Sequence, residues 1–496
     1  MRKGLSRYGV AAVAVLGGLL SPRVREKWLI KLSDKITAKE VVRSVSIEKN
    51  RLQIIFWGLL QAEIREFVLR ESDREGISTF PRGLAVGDTL SHIHYTILKA
   101  QELNRKLKLL SPNVFPCNVY YRFLLKQEEY CIWCHPVYEK IALELNNGDD
   151  DFEKPGMVEK IHWDLALIHL IQAEQKKRNW EFPVYQNYNH KKDSDYANIG
   201  NEDFKAAYRE FRSIAVFYDS EKEYLYRLIP ERGEKKGEAY PGFSRKHLKD
   251  LKVRLGITKP YICLHLRANY SGVSETRAIE EPENYRPALE WLKAKGYEIV
   301  QMGTQQQHLW HEVEASWVKE LVINYGASEE QGLFNDLHLV EGCEWMIGCC
   351  SGPTQFPFLF RKPTLWLNFV WLVGTVLLPE NRFYPKNLYY SDGKPLSLEE
   401  HLKHPVFFAM HKKDYQKLGI IWKDLSEIQI LEAVQEFSEL AANPATDWKN
   451  RTDLQKNFLS KTKSEHLYLH LTEASPCHCA LIEDKGLYKG INEPRT

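Results

Sequence analysis

Tyr261-Ile-Cys-Leu-His-Leu-Arg267 opens the stretch that decides the fold, an apolar β-prone run broken only by His265 and closed by an arginine. The pattern returns at Tyr297-Glu-Ile-Val-Gln-Met302, Leu321-Val-Ile-Asn324, Trp345-Met-Ile-Gly348 and Thr364-Leu-Trp-Leu-Asn368. Short apolar runs bounded by turn residues read as buried strands. Helix-period segments separate them. Asn284–Lys295 places Tyr285, Ala288, Leu289 and Leu292 on one face and has Gly296 at its stop; His308–Glu320, Leu333–Gly342 and Gly352–Phe360 follow. Strands alternating with helices make βαβ units and therefore a parallel sheet.

This spacing predicts a Rossmann-like domain over 251–425. The first half repeats the pattern more weakly. Gly83-Leu-Ala-Val-Gly-Asp88 reads as a strand and tight turn, Thr89–Lys106 as a helix, Leu107–Leu110 as another strand and Val158–Arg178 as a helix. A second Rossmann-like domain is expected over 46–190. Polar and turn-forming residues, such as Asn187-Tyr-Asn-His-Lys-Lys-Asp and Glu231-Arg-Gly-Glu-Lys-Lys-Gly, mark 191–250 as the connection. After it, 426–496 reads as one helix, Ile428–Leu440, and an irregular polar tail.

Composition narrows the function classes. Across 496 residues, 68 Lys+Arg against 66 Asp+Glu leave a net charge of +2, without the basic excess of a nucleic-acid binder. Apolar residues at 44% are enough for large cores, which excludes wholesale disorder. No stretch reaches the ~20 apolar residues of a spanning helix. Nine cysteines, sparse and irregularly spaced, do not form a disulfide scaffold, and a reducing compartment is expected. Residues 1–45 form a separate basic and apolar helical segment. Within it, Arg2, Lys3, Arg7, Arg23 and Arg25 flank the apolar run Tyr8–Leu20, and no small-x-small cleavage site follows. It reads either as a helix packed on the body or as a peripheral contact of residues 1–25 with anionic lipid. The expected location is the cytoplasm, at the inner face of the cytoplasmic membrane.

In open α/β sheets ligands bind beyond the carboxyl ends of the strands. Gly348-Cys-Cys-Ser-Gly-Pro-Thr354 is such an exit: Ser351 can cap the next helix, Gly352 leaves room, and Pro353 suits the first helical turn. Read alone it is an ordinary capped helix. At the end of the first strand, His265 and Arg267 lie on one face of the pleat, and an arginine there can bind phosphate oxygens in a bidentate fork. The two exits together point to a phosphate-bearing ligand. In the first half, Asp88 follows the strand at its turn, with His92 and His94 close behind. Any of the three can take a proton from a hydroxyl, although a cap or a structural role fits each alone.

Gly87-Asp88-Thr89-Leu90 resembles the first loop of heptosyltransferases, and Asp336–Asn368 is similar to their donor-phosphate region. His265-Leu-Arg267 is similar to the His-x-Arg motif of fucosyltransferases. More closely, 261–400 resembles GT-B glycosyltransferases encoded in bacterial surface-polysaccharide clusters, sharing His-Leu-Arg, Arg277, Asn284-Tyr285, Gln-Met-Gly303, Ser351-Gly352 and Tyr-Pro-Lys386. The resemblance implies an α/β, GT-B fold of two Rossmann-like domains facing across a cleft, the first for the acceptor and the second for the donor. It implies a glycosyltransferase that moves a sugar from a nucleotide-sugar to a glycan or lipid-linked acceptor in surface polysaccharide or lipopolysaccharide synthesis, inverting and independent of metal. Asp88 would be the catalytic base, with His92 and His94 in reserve. His265, Arg267, Arg277, Gly303, Ser351, Gly352, Asn368 and Lys386 would bind the donor. No cofactor is implied, since the nucleotide-sugar is a substrate. Cys350 stands where heptosyltransferases carry Asp, and Gln301 where the polysaccharide-cluster family carries Arg, so the donor sugar does not carry over.

Other motifs carry less. Cys131-Ile-Trp-Cys-His135 matches a haem-attachment pattern, and Cys477-His-Cys479 offers metal ligands, but haem needs an export route and a closed zinc site needs four converging ligands. Walker A and Gly-x-Gly-x-x-Gly loops are absent, against an NTPase or dinucleotide enzyme. The alternative outside enzymes is a GT-B-like protein that binds a sugar nucleotide or polysaccharide without turnover.

Overall fold

The computed structural model describes residues 12–35, 51–71, 76–77, 93, 106–107, 109–112, 117–133, 135–137, 140, 240–268, 275–303, 316–369, 378–396, 406, 412–443, 446–465 and 474–482. The chain divides into two compact units, 1–186 with 240–242, and 187–239 with 243–496.

In the first unit, helices α1 (Pro22–Ser33) and α2 (Arg51–Glu71) pack together. Arg25 of α1 is buried between them. Its guanidinium binds Glu63 at 2.7 Å, the Leu20 carbonyl at 2.6 Å and Glu66. Two short parallel pairs follow: β1 (Gly76–Ile77) with β2 (Lys106–Leu107), and β3 (Leu109–Pro112) with β4 (Tyr130–Trp133). Helix α3 (Cys117–Leu124) connects β3 to β4, which makes one βαβ unit. The expected strand at 83–88 and helix at 158–178 lie outside the described residues.

The second unit is α/β, built on a seven-stranded sheet in which every pairing is parallel. After helix α4 (Arg245–Arg254) come β5 (Tyr261–His265), α5 (Arg286–Ala294), β6 (Glu298–Gln301), α6 (Ser316–Leu321), β7 (Val322–Ile323), α7 (Leu333–Gly342), β8 (Met346–Gly348), α8 (Phe356–Phe360) and β9 (Thr364–Phe369). Then follow β10 (Asn381–Pro385), β11 (Asn387–Tyr390), α9 (Lys412–Lys417), β12 (Ile420–Lys423), α10 (Glu427–Ala442), α11 (Asp453–Glu465), β13 (Ser475–Pro476) and α12 (His478–Ile482). The sheet order is β13-β10-β9-β8-β5-β6-β7, while β11 and β12 form a separate antiparallel pair.

The apolar runs become strands because burial on both faces suits unbroken apolar sequence: every residue of β5 and β8 is buried. Gly296, at φ +91°, ends α5 in a conformation that side chains disfavour. Ile262, Leu264, Ile299, Ile347, Leu365 and Leu367 share one core with Trp345 and Phe437. Each such side chain contributes about 1.5–3 kcal/mol on burial. Ser426 and Gln429 close a capping box at the start of α10, whose Phe437 ring meets Trp345 at 5.2 Å.

Two features differ from the sequence reading. Asn381-Arg-Phe-Tyr-Pro385, polar in sequence, is a fully buried strand, and the region read as an irregular tail supplies α11, β13 and α12. There, β13 pairs with β10, Arg382 opposite Ser475 and Phe383 opposite Pro476. Phe458, Ala474, Cys477 and Leu481 belong to the main core, too few apolar residues to produce a period in a polar stretch.

Candidate active site

The strand order creates the site. From β5 the chain steps outward through β6 and β7, then returns to place β8 on the other side of β5. Neighbouring strands whose connections leave in opposite directions open a crevice beyond their carboxyl ends. His265 and Arg267 stand at the exit of β5, and Cys349–Gly352 at the exit of β8.

One imidazole ties three strand ends together. His265 Nδ1 lies 3.3 Å from the carbonyl oxygen of Met302, just after β6, and its Nε2 lies 2.8 Å from Ser351 Oγ. A carbonyl only accepts, so this network assigns the proton to Nδ1 and leaves Nε2 to accept the Ser351 hydroxyl. Burial, seconded by the charge of Arg267 and opposed by the bond to Met302, lowers the His265 pKa to about 4. The ring is therefore neutral at pH 7. Ser351 does not cap the following turn with its side chain. With its proton directed to His265, its oxygen lone pairs remain to accept from a ligand's O–H or N–H.

Arg267 is half-buried; its N–H donates to Cys349 Sγ at 3.3 Å and its carbonyl accepts from Ile279 at 2.9 Å. The second contact brings the turn Glu275–Arg277 alongside, so Arg267 and the half-buried Arg277 belong to adjoining segments. Burial pushes the Cys349 thiol up to about 12, too high for a nucleophile at neutral pH. Gly303, at φ +111°, turns the chain at the exit of β6.

Two of the expected donor-binding residues are engaged within the fold. Asn368 is fully buried at φ +55°; its amide donates to Tyr285 Oη at 3.0 Å and accepts from Leu425 N at 2.7 Å. The buried Lys386 ammonium donates to the Ala278 carbonyl at 2.6 Å and pairs with Asp424 at 2.5 Å. Asp424 in turn accepts from the N–H groups of Glu280 and Glu281 at 2.7 and 2.9 Å. Lys386 and Asp424 thus fix the segment that follows Arg277, which makes both positioning residues. Asp424 was not legible in the sequence, where it reads as one charge before the Ser426 cap. Asp88, His92 and His94 lie outside the described residues.

Gly348 keeps the β8 exit in shape. A Cβ at this position would overlap the Thr354 side chain, which bonds the Cys349 carbonyl at 2.8 Å. Gly348→Ala is expected to cost about 1–3 kcal/mol, the usual penalty of overpacking, and to lower the melting temperature accordingly. Thermal denaturation checks this; an unchanged Tm would mean that the turn yields freely.

No family model and no curated protein matches the sequence. Among solved structures, the chain is similar to E. coli ADP-heptose lipopolysaccharide heptosyltransferase II, at 13% identity over 74% of this chain and 100% of that one, TM-score 0.38. It is similar to the glycosyl transferase family 9 protein of Veillonella parvula DSM 2008, at 10% identity over 74% and 98%, TM-score 0.36. It is also similar to UDP-GlcNAc 2-epimerase from Methanocaldococcus jannaschii, at 10% identity over 80% and 84%, TM-score 0.26.

Proposed function

We propose that this protein is a glycosyltransferase of GT-B type that moves a sugar from a nucleotide-sugar to a glycan or lipid-linked acceptor in bacterial surface polysaccharide or lipopolysaccharide synthesis. The observation that carries the reading is the switch point between β5 and β8, where Arg267 and the His265–Ser351 pair meet. The guanidinium of Arg267, with Arg277 on the adjoining segment, neutralises the diphosphate as it leaves. The Ser351 hydroxyl accepts a hydrogen bond from the sugar or nucleoside. Asp88 of the first unit takes the proton of the acceptor hydroxyl as it attacks the anomeric carbon, which inverts the configuration. Fixed cations carry the leaving-group charge in this scheme, so added Mg²⁺ or Mn²⁺ leaves the rate unchanged. Titration calorimetry tests the binding half: nucleoside diphosphates bind and the parent nucleosides bind far more weakly. Equal affinity for both would remove the diphosphate from the site.

The N-terminal segment supports a peripheral contact with anionic lipid. Leu16, Leu19 and Trp28 are 63%, 80% and 54% exposed, beside exposed Arg23, Lys27 and Lys31. An apolar surface flanked by cations suits an acidic leaflet. Arg25 does not take part, because Glu63 and Glu66 hold it inside. No described helix is long and apolar enough to cross a membrane. Leu16→Ser with Leu19→Ser is expected to release the protein from phosphatidylserine vesicles at unchanged Tm. Undiminished vesicle binding by that double variant would assign the contact elsewhere.

A further inference from the structure

Cys477, Cys479 and Glu436 meet where the last strand joins the sheet. One ligand atom from each, two thiol sulfurs and a carboxylate oxygen, lies within 4.8 Å of the others. Cys477 follows β13 and is fully buried in the main core, while Cys479 and Glu436 are half-buried. The Glu436 carboxylate is already oriented: the His478 N–H donates to Oε1 at 2.7 Å and the Cys479 N–H to Oε2 at 3.0 Å. Each oxygen keeps a lone pair, and backbone donors of this kind commonly fix a carboxylate ligand from behind. A tetrahedral ion with bonds of about 2.0–2.3 Å needs donors about 3.5–3.8 Å apart, which rotation of the thiol side chains supplies.

The charge around the cluster is compatible with a bound dication. Arg382, on the strand that pairs with β13, is 1% exposed. Its described partners are the carbonyls of Pro379 and Asn381 at 2.9 Å and of Trp448 at 3.4 Å, with the Trp448 ring 5.5 Å from the guanidinium; its buried Nε has no hydrogen-bond partner. Among the described residues no carboxylate forms an ion pair with it, and burial, seconded by Arg451, pushes its pKa down to about 10 against the opposing pull of Cys477, Glu436 and Glu380. A buried guanidinium in this position calls for an anionic neighbour. Two thiolates, one carboxylate and a dication sum to a single negative charge, the same as an ionised Glu436 beside two thiols, so a bound dication leaves the charge opposite Arg382 unchanged.

We propose that Glu436, Cys477 and Cys479 bind a thiophilic dication, Zn²⁺ by ligand type, and so clasp the terminal strand to α10. Two thiolates with a carboxylate select zinc over magnesium or calcium. Binding displaces one proton from each thiol to solvent while Glu436 enters already ionised. The fourth position is left to water, so the site is a structural clasp with one solvent ligand rather than a closed four-residue site. It is independent of the proposed transferase chemistry.

The experiment uses the full chain, kept reduced with a phosphine, with zinc content measured after dialysis and Co²⁺ titrated as the optical probe. One equivalent of zinc is expected, together with thiolate-to-cobalt charge-transfer absorption. Cys479→Ser and Glu436→Gln, which spare the fully buried Cys477, are expected to weaken Co²⁺ binding at least tenfold and to abolish any rise in Tm on adding Zn²⁺. Cys131→Ser, in the other cysteine cluster, is expected to behave as wild type. Failure of the wild-type protein to take up either metal overturns the proposal. So does uptake that survives in Cys479→Ser or Glu436→Gln, or that is lost in Cys131→Ser.

Discussion

Replacing Asp88 with Asn is expected to lower kcat by about 10²–10⁴-fold, the usual worth of a positioned general base. The side chain keeps its size and loses its ability to take the acceptor's proton. Donor affinity should stay nearly constant, because Asp88 belongs to the first unit and the switch point to the second. Steady-state kinetics with each substrate varied in turn separates the two effects. If Asp88→Asn kept full kcat while His92→Ala lost it, the role would pass to the histidine, with His94 next in line. A product that retained the donor's anomeric configuration would end the direct-displacement mechanism altogether.

Arg267→Ala has the second largest expected effect, on the opposite side of the reaction. A charge-assisted bond to phosphate is worth about 1.5–3 kcal/mol net, so kcat/KM for the donor should fall roughly ten- to a hundredfold. The backbone N–H contact of Arg267 with Cys349 is kept in the variant, and thermal denaturation checks that the fold survives. Burial is the main cause that keeps His265 neutral, so removing the neighbouring charge leaves the Ser351 contact in place. A loss at unchanged Tm is then assigned to the guanidinium rather than to a rearranged site. Unchanged donor kinetics in the folded variant would remove the diphosphate assignment.

The donor half of this scheme was legible in part from the sequence, for a physical reason. Strands such as Tyr261–His265 and Thr364–Phe369 are buried and nearly free of polar residues, so their runs stand out between helical periods. Asn381–Pro385 hides because Asn381, Arg382 and Pro385 break the apolar run, and the strand is buried by packing that no local pattern announces. Ser475–Pro476 is too short to read at all. At the site, His265, Arg267 and Ser351 stand out in the sequence because strand exits are where open sheets bind ligands, and the structure brings His265 and Ser351 together.

Their mutual geometry was not legible. Ser351 reads as a helix cap, but its hydroxyl bonds an imidazole far away in sequence. Asn368 and Lys386 read as ligand contacts, yet Tyr285, Leu425 and Asp424 come from distant segments to bury them. A polar residue at a strand end can serve a ligand or hold the scaffold, and only the third dimension decides which. The Cys477-His-Cys479 pattern is the reverse case: two candidate ligands stand in the sequence, and the carboxylate of Glu436 joins them only through the packing of α10.

The central claim is that the β5–β8 switch point handles a nucleotide-sugar during turnover. It is tested most directly by incubating the full-length protein with a panel of nucleotide-sugars and a lipid-linked or glycan acceptor extract, scoring release of nucleoside di- or monophosphate. The account predicts release from a particular sugar nucleotide, stimulated by acceptor and reduced roughly ten- to a hundredfold in Arg267→Ala. Tight binding of a sugar nucleotide with no release under any acceptor condition would contradict it and make the protein a binder without turnover.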